Sequence, residues 1–357
     1  MAERDGGIAL SRSFFHEVVA PLVKQYVPEV RYAAARVGPG SDVLGLDDAM
    51  SQDHDWGLRL QLFVTAADCG RVQRALDEHL PVDFRGRPVR FGFSADPTDR
   101  VRIDVLSVDA FAERQLGFDP RGGASVADWL SLTGQAALEV VSGAVFEDQT
   151  GELTALRDAL AWYPDDLWRY VVACDWQRID HELPIMGRAG ERGDELGSRL
   201  VAARLVGLAV HLGFVLCRSW PPYAKWRGTE FARLAGCADI AADLARALDA
   251  RDWLDRQVAL ADALTGLARL QHDSGLPAPQ SAVEPFWDRP YLRVHGDLAP
   301  RLLATVRSPA VRALPTGVGT VEQQADNVAV LTVPRRRHAL ARTLLGDLSG
   351  TGANRTT

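Results

Sequence analysis

Apolar and polar residues follow two different periods in the first half of the chain, which predicts both helices and strands there. Between residues 11 and 26 apolar side chains recur every three to four positions, as on one face of a helix, and Ser11 or Ser13 can cap its start. Leu58, Leu60 and Leu62 instead alternate with polar residues, as in a strand. The predicted elements of this half are a helix over 11–26, strands over 31–37 and 53–64, a helix over 67–80, strands over 89–93 and 101–108 with a turn over 94–99 between them, and a strand over 138–146.

Helical spacing dominates after about residue 151. Predicted helices cover residues 153–162, 165–185, 193–219, 238–248 and 253–272, separated by proline- and glycine-rich stretches. The predicted class is therefore α+β, with an α/β domain over residues 1–150 followed by an all-helical domain over residues 151–357.

The composition is that of a folded, water-soluble protein. The 357 residues are 47% hydrophobic and 24% charged. No apolar stretch approaches the roughly 20 residues that span a bilayer, and the N-terminus lacks the layout of a signal peptide. The four cysteines form no C-x-x-C pair, which argues against a zinc site or a disulfide framework and favours the reducing cytoplasm. We therefore expect a cytoplasmic protein without a membrane partner, either a monomer or a homodimer.

The net charge of −7 makes a nucleic-acid partner less favoured, because proteins that grip long nucleic acids usually carry a basic patch. Only the run Arg335-Arg336-Arg337 is strongly basic. An acidic surface instead mildly favours a small or cationic acceptor.

Three carboxylates suggest the chemistry. Asp53 and Asp55 are one residue apart, so on a strand their side chains point to the same face. Asp104 lies inside the apolar run Val101-Arg102-Ile103-Asp104-Val105-Leu106. Carboxylates held close together repel one another unless a cation lies between them, and Mg²⁺ prefers such oxygen ligands while also binding substrate phosphates. The pattern predicts phosphoryl or nucleotidyl transfer.

A glycine–serine turn precedes these carboxylates. Gly40 would let the backbone approach a phosphate closely, and the backbone N–H groups and the Ser41 hydroxyl would donate hydrogen bonds to it. With Asp53 and Asp55 holding Mg²⁺ on the triphosphate, Asp104 would complete a second metal site or orient the attacking hydroxyl.

Gly40-Ser41, followed by Asp53-His54-Asp55 and the distant Asp104, resembles the nucleotidyltransferase superfamily that includes DNA polymerase β and the antibiotic nucleotidyltransferases. The resemblance covers roughly residues 30–110 and implies a mixed sheet with flanking helices. It also implies Mg²⁺ as the metal and an NTP, with ATP as the first choice, as the co-substrate. The sequence departs from the superfamily at His54, where an apolar residue is usual.

A wider resemblance extends over most of the chain, to an uncharacterised bacterial family built on domain of unknown function 4037. It rests on residues 40–47, 53–57 and 60–63, and on Cys174-Asp175-Trp176-Gln177-Arg178-Ile179, Gly193-Asp194-Glu195-Leu196-Gly197-Ser198-Arg199-Leu200, Pro222-Tyr223-Ala224-Lys225-Trp226 and Phe286-Trp287-Asp288-Arg289-Pro290-Tyr291. This resemblance implies a nucleotidyltransferase-like fold joined to a helical domain and implies no particular substrate.

Further site residues have an ordinary structural alternative. Arg59, on the Asp55 face of an ideal strand, either contacts phosphate or forms an ion pair. Lys225 either reaches the triphosphate or lies over Trp226. Glu182, chosen as the general base ahead of Asp194 and Glu195, follows the 174–179 motif and precedes an expected helix break at Pro184. His16, His181, His211 and His295 have no metal-ligand spacing, so structural or surface roles are the default.

These features together predict a Mg²⁺-dependent nucleotidyltransferase. It would move a nucleoside monophosphate from an NTP to a hydroxyl of a small-molecule acceptor and release pyrophosphate. The alternatives are transfer to tRNA or protein, as in toxin-like enzymes, and a nucleotide-binding regulator without catalysis.

Overall fold

The computed structural model describes residues 6–47, 56–93 and 96–346. The chain divides into two compact units, one made of Met1–Ala124 and Ala136–Ala161 and the other of Ser125–Gln135 and Trp162–Thr357. The short segment Ser125–Gln135 therefore packs with a unit that resumes only at Trp162.

Helices and strands both occur in the chain up to residue 161. They are α1 (Gly7–Phe14), a π-helical turn (Phe15–Val19), α2 (Ala20–Tyr26), β1 (Ala33–Arg36), β2 (Leu60–Phe63), α3 (Cys69–His79), β3 (Asp83–Phe84), β4 (Arg87–Pro88), β5 (Arg90–Phe93), β6 (Asp96–Val101), β7 (Ile103–Leu106), α4 (Val108–Leu116), a 3₁₀ turn (Pro120–Gly122), α5 (Val126–Ser131), α6 (Gly134–Val141), β8 (Ala144–Asp148) and α7 (Glu152–Ala159).

From residue 162 onward most described residues are helical. The elements are α8 (Asp165–Glu191), α9 (Glu195–Leu216), α10 (Ala224–Arg233), α11 (Ala238–Asp249), α12 (Trp253–Asp273), β9 (Val283–Pro285), β10 (Leu292–Val294), α13 (Leu298–Ala304), α14 (Pro309–Arg312), α15 (Val321–Gln324), α16 (Val328–Leu331) and α17 (Pro334–Leu345).

A mixed four-stranded sheet forms the centre of the first unit, in the order β7-β2-β1-β8. Strand β2 pairs in parallel with β7, whereas β1 is antiparallel to both β2 and β8. All four residues of β1 and of β2 are buried, as expected for central strands covered on both faces. Phe14, Phe15 and Val19 of the first helical segment pack into the same core. The α+β class with an N-terminal mixed sheet and flanking helices is thus confirmed.

Two strand predictions and one turn prediction for this unit need correction. Among the described residues of 53–64, only Leu60–Phe63 form a strand, so Arg59 precedes β2 and the face assigned to it from an ideal strand does not apply. Residues 96–99 belong to β6, which pairs with β5, although Pro97 and the neighbouring polar residues suggest a turn. Residues 138–141 are helical because Ala136, Ala137 and Val140 are buried on one face of α6.

The second part of the chain is mostly helical, as predicted. Four of its helices, α8, α9, α11 and α12, agree closely with the sequence pattern, whereas α10 and the helices from α13 to α17 were not predicted. Helix α8 continues through Pro184, where a break was expected, and β9 and β10 form a two-stranded antiparallel sheet. Trp168 and Trp176 are buried in the core.

Helix α9 meets the length and hydropathy criteria of a membrane span, with 22 residues and a mean hydropathy of 1.7 in its most apolar window. The sequence prediction of no such stretch overlooked it. In the structure 61% of that window is buried inside the protein, which is typical of a core helix.

Candidate functional site

A turn built around a buried ion pair follows β1. The side chain of Arg36 is fully buried, and its Nε and Nη2 atoms each donate to a carboxylate oxygen of Asp42 over 2.7 Å. The same guanidinium donates to the carbonyl oxygens of Val37 and Pro39, over 2.6 and 3.0 Å. A planar guanidinium with five donors suits such a bidentate arrangement. The pair therefore fixes the path of the chain from residue 36 to residue 42.

The next residues form a helical turn. The N–H groups of Val43, Leu44 and Gly45 each donate to the carbonyl oxygen three residues earlier. Among the described residues, the N–H groups of Gly40 and Ser41 donate to no acceptor, and the Ser41 hydroxyl makes no hydrogen bond. Free N–H groups at the start of a helical turn form a favourable position for an anion. The turn thus has the chemistry of a phosphate site.

Gly40 is required where the turn comes closest to this ion pair. Its φ of +142° lies in a region that favours glycine, and a Cβ atom there would lie 2.2 Å from Oδ1 of Asp42 and 2.5 Å from Nη2 of Arg36. The third neighbouring atom is Nη1 of Arg59, at 3.1 Å. Because the Arg36–Asp42 pair is buried, neither partner can move aside cheaply.

We expect Gly40→Ala to lower the free energy of unfolding by about 2–4 kcal/mol, from backbone strain together with overpacking. Gly45→Ala is the matched control in the same turn, because Gly45 also has a positive φ, of +69°, but a Cβ atom there would meet nothing within 4 Å. The control should lose only about 1–2 kcal/mol. Denaturant unfolding measures both variants, and equal losses would contradict the close-packing explanation.

A cavity of about 350 Å³ lies beside this turn, within the first unit. Its lining is Pro39, Arg59, Gln61, Phe93, Asp96, Arg100, Arg102, Asp104, Arg114 and Gln115. Four arginines and two aspartates thus face one space, a composition that suits a polyanionic ligand. Its volume is in the range of small-molecule sites.

The sheet places Asp104 on the cavity wall. Asp104 of β7 is the register partner of Gln61 of β2, which in turn pairs with Ala35 of β1. Gln61 is buried, and its Oε1 atom accepts a hydrogen bond of 3.0 Å from the N–H of Val37, where β1 enters the turn. Oδ2 of Asp104 lies 3.2 Å from Nη2 of Arg114. The sheet register therefore brings the predicted carboxylate to the side of the sheet where the glycine–serine turn begins.

The arginines of the cavity differ in how they are held. Arg102 is buried, with hydrogen bonds to Asp96 and to three carbonyl oxygens of β5 and β6, so its role is to hold this hairpin together. Hydrogen bonds from Arg100, Arg102 and Thr98 hold the pKa of Asp96 far below its usual value. The guanidinium of Arg59 lies 4.9 Å from the centre of the Phe93 ring. Arg100 and Arg114 are both about half exposed, and each pairs with an aspartate of the cavity, Asp96 and Asp104 respectively.

Asp53 and Asp55, together with His54, lie outside the described residues. Within the described ranges no group of three or more His, Cys, Asp or Glu side chains is arranged to hold a metal ion. Asp104 itself offers the hard oxygen donor that Mg²⁺ prefers and is only partly buried. Its chemistry fits one ligand of a metal site, and the remaining ligands stay a prediction.

Candidates from the helical half are held by neighbours within the second unit. Oε2 of Glu182 lies 2.5 Å from Nη2 of Arg204. Lys225 is exposed, with its Nζ atom 4.8 Å from the centre of the Trp226 ring. It therefore lies over Trp226, which is the structural alternative to a contact with the triphosphate.

The two other acids weighed as general bases serve structural roles. Asp194 caps α9 by accepting from the N–H of Gly197 over 2.8 Å, and Glu195 lies 3.0 Å from Nη2 of Arg256. These contacts favour structural roles for both.

A buried cluster of charged residues in the second unit was not predicted. Nδ1 of His211 lies 2.6 Å from Oδ2 of Asp175, and Nε2 lies 3.6 Å from Oε1 of Glu322. Gln323 donates to the other oxygen of Asp175 over 2.7 Å, and the N–H of Gly134 donates to Glu322 over 3.1 Å. Burial by itself lowers the pKa of His211, but attraction to Asp175 and hydrogen bonds with Asp175 and Glu322 outweigh it and raise the pKa to about 10. The one available signal in the sequence was that Asp175 and His211 each have apolar residues on both sides, Cys174 and Trp176 for the first and Val210 and Leu212 for the second.

This chain is similar to one family of sequences and to a solved structure. No curated protein matches the sequence. Among solved structures, a nucleotidyltransferase-like protein from Exiguobacterium sibiricum is similar, with 18% identity and a TM-score of 0.32 over 76% of this chain and 77% of the other. Residues 129–227 match the family model described as domain of unknown function 4037 (DUF4037), which confirms over that segment the resemblance inferred from the sequence.

Proposed function

We propose that this protein is a Mg²⁺-dependent nucleotidyltransferase that transfers a nucleoside monophosphate from an NTP to a hydroxyl of a small-molecule acceptor. The observation that carries the proposal is the cavity of the first unit, which is lined by Asp104, by Arg100 and Arg114, and by Pro39, the residue directly before the Gly40-Ser41 turn. A carboxylate and cationic side chains in one space, next to a turn with backbone N–H donors, are what a nucleoside triphosphate with its metal requires.

The phosphates would bind to the turn and the arginines. The N–H groups of Gly40 and Ser41 and the Ser41 hydroxyl would donate to phosphate oxygens. Arg59, whose Nη1 atom lies 3.1 Å from the position of a Cβ on Gly40, would contact the same phosphates. Fixed donors aimed at the transferred phosphate stabilise the charge that develops there.

Asp104 would serve the metal or the acceptor. When bound, Mg²⁺ neutralises phosphate charge and polarises the phosphorus centre for attack. Asp104 would hold it together with Asp53 and Asp55, or would orient the acceptor hydroxyl. The ion pair with Arg114 keeps the Asp104 carboxylate in place, and both side chains remain partly exposed to an incoming ligand.

Pyrophosphate release from each of the four NTPs, in the presence of Mg²⁺ and a panel of hydroxyl-bearing small molecules, tests the proposal. We expect release that depends on both the metal and an acceptor. Labelling of tRNA or of protein by a radioactive NTP, without labelling of small molecules, would redirect the proposal to a macromolecular acceptor. Nucleotide binding with no release for any acceptor class would refute transfer and leave a regulatory binder.

A further inference from the structure

Two cysteines of the second unit meet at the ends of neighbouring helices. Cys217 directly follows α9, and Cys237, 20 residues later, directly precedes α11. Their Sγ atoms lie 3.9 Å apart, within hydrogen-bonding distance for sulfur. All four cysteines of the chain are free, so this contact joins two thiols. The fold therefore brings together two sulfurs that are well separated in the sequence.

Packing between the helices holds both cysteines in place. Phe231 of α10 lies against Gly213 of α9, where a Cβ atom would be 2.3 Å from the phenylalanine ring. The N–H of Cys217 donates to the carbonyl oxygen of Gly213, and the N–H of Cys237 donates to that of Leu234, each over 3.0 Å. A disulfide sets its two sulfurs about 2 Å apart. The sulfurs therefore need to approach by roughly 2 Å more, which rotation of the side chains can supply without separating the helices.

The two thiols differ in their access to solvent. Cys237 is fully buried, with an exposure of 0%, whereas Cys217 is partly exposed. A hydrogen bond with Cys237 lowers the pKa of the Cys217 thiol, and the same contact together with burial raises the pKa of Cys237. Because the thiolate is the form that attacks an oxidant, an oxidant in solution reacts with Cys217. Cys237 is then the thiol within reach of the oxidised sulfur.

We propose that Cys217 and Cys237 form a redox-active pair that closes to a disulfide when a hydroperoxide oxidises Cys217. In the first step the Cys217 thiolate attacks the terminal oxygen of the peroxide, the O–O bond breaks, and the alcohol (or water, from hydrogen peroxide) leaves with a proton. Cys217 is then a sulfenic acid. In the second step the sulfur of Cys237 attacks the sulfur of Cys217, the S–O bond breaks, and the oxygen leaves as water with the thiol proton of Cys237. The two sulfurs are oxidised, and the hydroperoxide is reduced to the alcohol and one water.

The disulfide would close a loop that contains α10. This loop, residues 218–236, carries Lys225, and Trp220 within it packs against Trp162 and Tyr163 with ring centres 4.6 Å apart. A covalent closure restricts the unfolded chain and thereby stabilises the folded loop. In a reducing compartment such bonds are typically transient and respond to oxidants. The site lies within the second unit and does not depend on nucleotidyl transfer.

Oxidation of the full-length protein with a small excess of hydrogen peroxide tests the proposal, followed by alkylation of the remaining thiols and tryptic digestion without reductant. Cleavage after Arg204, Arg218, Arg233 and Arg246 places Cys217 in the peptide 205–218 and Cys237 in the peptide 234–246. We expect mass spectrometry to find these two peptides joined, and dithiothreitol to separate them again. The oxidised protein should also unfold at a temperature roughly 3–10 °C higher than the reduced protein.

Substitution of each cysteine separates the two roles. In Cys237→Ala, which keeps a small apolar side chain in the core, the sulfenic acid of Cys217 should persist and react with dimedone. In Cys217→Ser, Cys237 should stay reduced, because its burial keeps the peroxide away. Cys69→Ser is the matched control, because Cys69 is a partly exposed cysteine of the first unit, and it should form the link as fully as the wild type. Two separately alkylated peptides after oxidation of the folded wild type, or a link that forms only in denaturant, would overturn the proposal.

Discussion

Asp104→Asn should abolish most transfer activity while leaving the fold intact. The substitution keeps the size of the side chain and removes the charge that would hold Mg²⁺ or orient the acceptor. A metal ligand or a group that positions the attacking hydroxyl contributes several kcal/mol to transition-state stabilisation, so we expect kcat/KM for pyrophosphate release to fall roughly 10²–10⁴-fold.

Stability should hardly change in the same variant, and this makes the result interpretable. The pair between Asp104 and Arg114 is partly exposed, with side-chain exposures of 35% and 47%, and such pairs typically contribute up to about 1 kcal/mol. Once Asp104 is neutral, Arg114 can be solvated by water. The unfolding temperature of Asp104→Asn should therefore stay within a few degrees of the wild type.

Asp99→Asn is the matched control for charge removal. Asp99 lies on the exposed part of β6, in the same unit, and does not line the cavity. Steady-state kinetics with saturating Mg²⁺ should show wild-type activity for this control. If Asp104→Asn also kept full activity, the assignment of Asp104 to the catalytic site would be wrong.

The sequence predicted the second unit better than the first because a helix is encoded by residues that are close together along the chain. The spacing of apolar residues set α8, α9, α11 and α12 to within a few residues at most ends. The passage of α8 through Pro184 was missed, and so were α10 and the helices from α13 to α17. Strands depend on partners distant along the chain. Residues 96–99 carry local turn signals, yet pairing with β5 makes them part of a strand.

Part of the candidate site could also be predicted locally. The Gly40-Ser41 turn and Asp104 stand out in the sequence, and the structure places both next to the cavity. The pairing of Asp104 with Gln61 requires the parallel register of β2 and β7, which no local pattern encodes. That four arginines line the cavity also follows from strand pairing, so the sequence did not predict it, and only Arg59 was singled out there.

The contact between His211 and Asp175 could not be predicted from local sequence either. A structural role was the default for this histidine, but its partner Asp175 lies 36 residues earlier in the chain. The apolar residues around each of them predict burial and do not predict their meeting. Only the packing of α8 against α9 reveals that the histidine carries charge inside the core.

His211→Asn should cause a large loss of stability for that reason. The substitution removes the cation between Asp175 and Glu322 and leaves two buried carboxylates facing each other, which typically costs about 3–5 kcal/mol. Denaturant unfolding at neutral pH measures the loss. His181→Asn is the matched control, because His181 is an exposed histidine on α8, and it should change the free energy of unfolding by less than about 0.5 kcal/mol.

The pH dependence of this loss identifies its electrostatic origin. The pKa of His211 in the folded protein is about 10, above its ordinary value of 6.5, so the folded state holds the proton more tightly than the unfolded chain. The stabilising contribution is therefore complete below about pH 6.5, declines as the pH rises and is gone above about pH 10. The difference in unfolding free energy between wild type and His211→Asn should shrink steadily from pH 6.5 to pH 10. A difference that stays constant over that range would mean that the histidine stabilises the core through packing rather than through its charge.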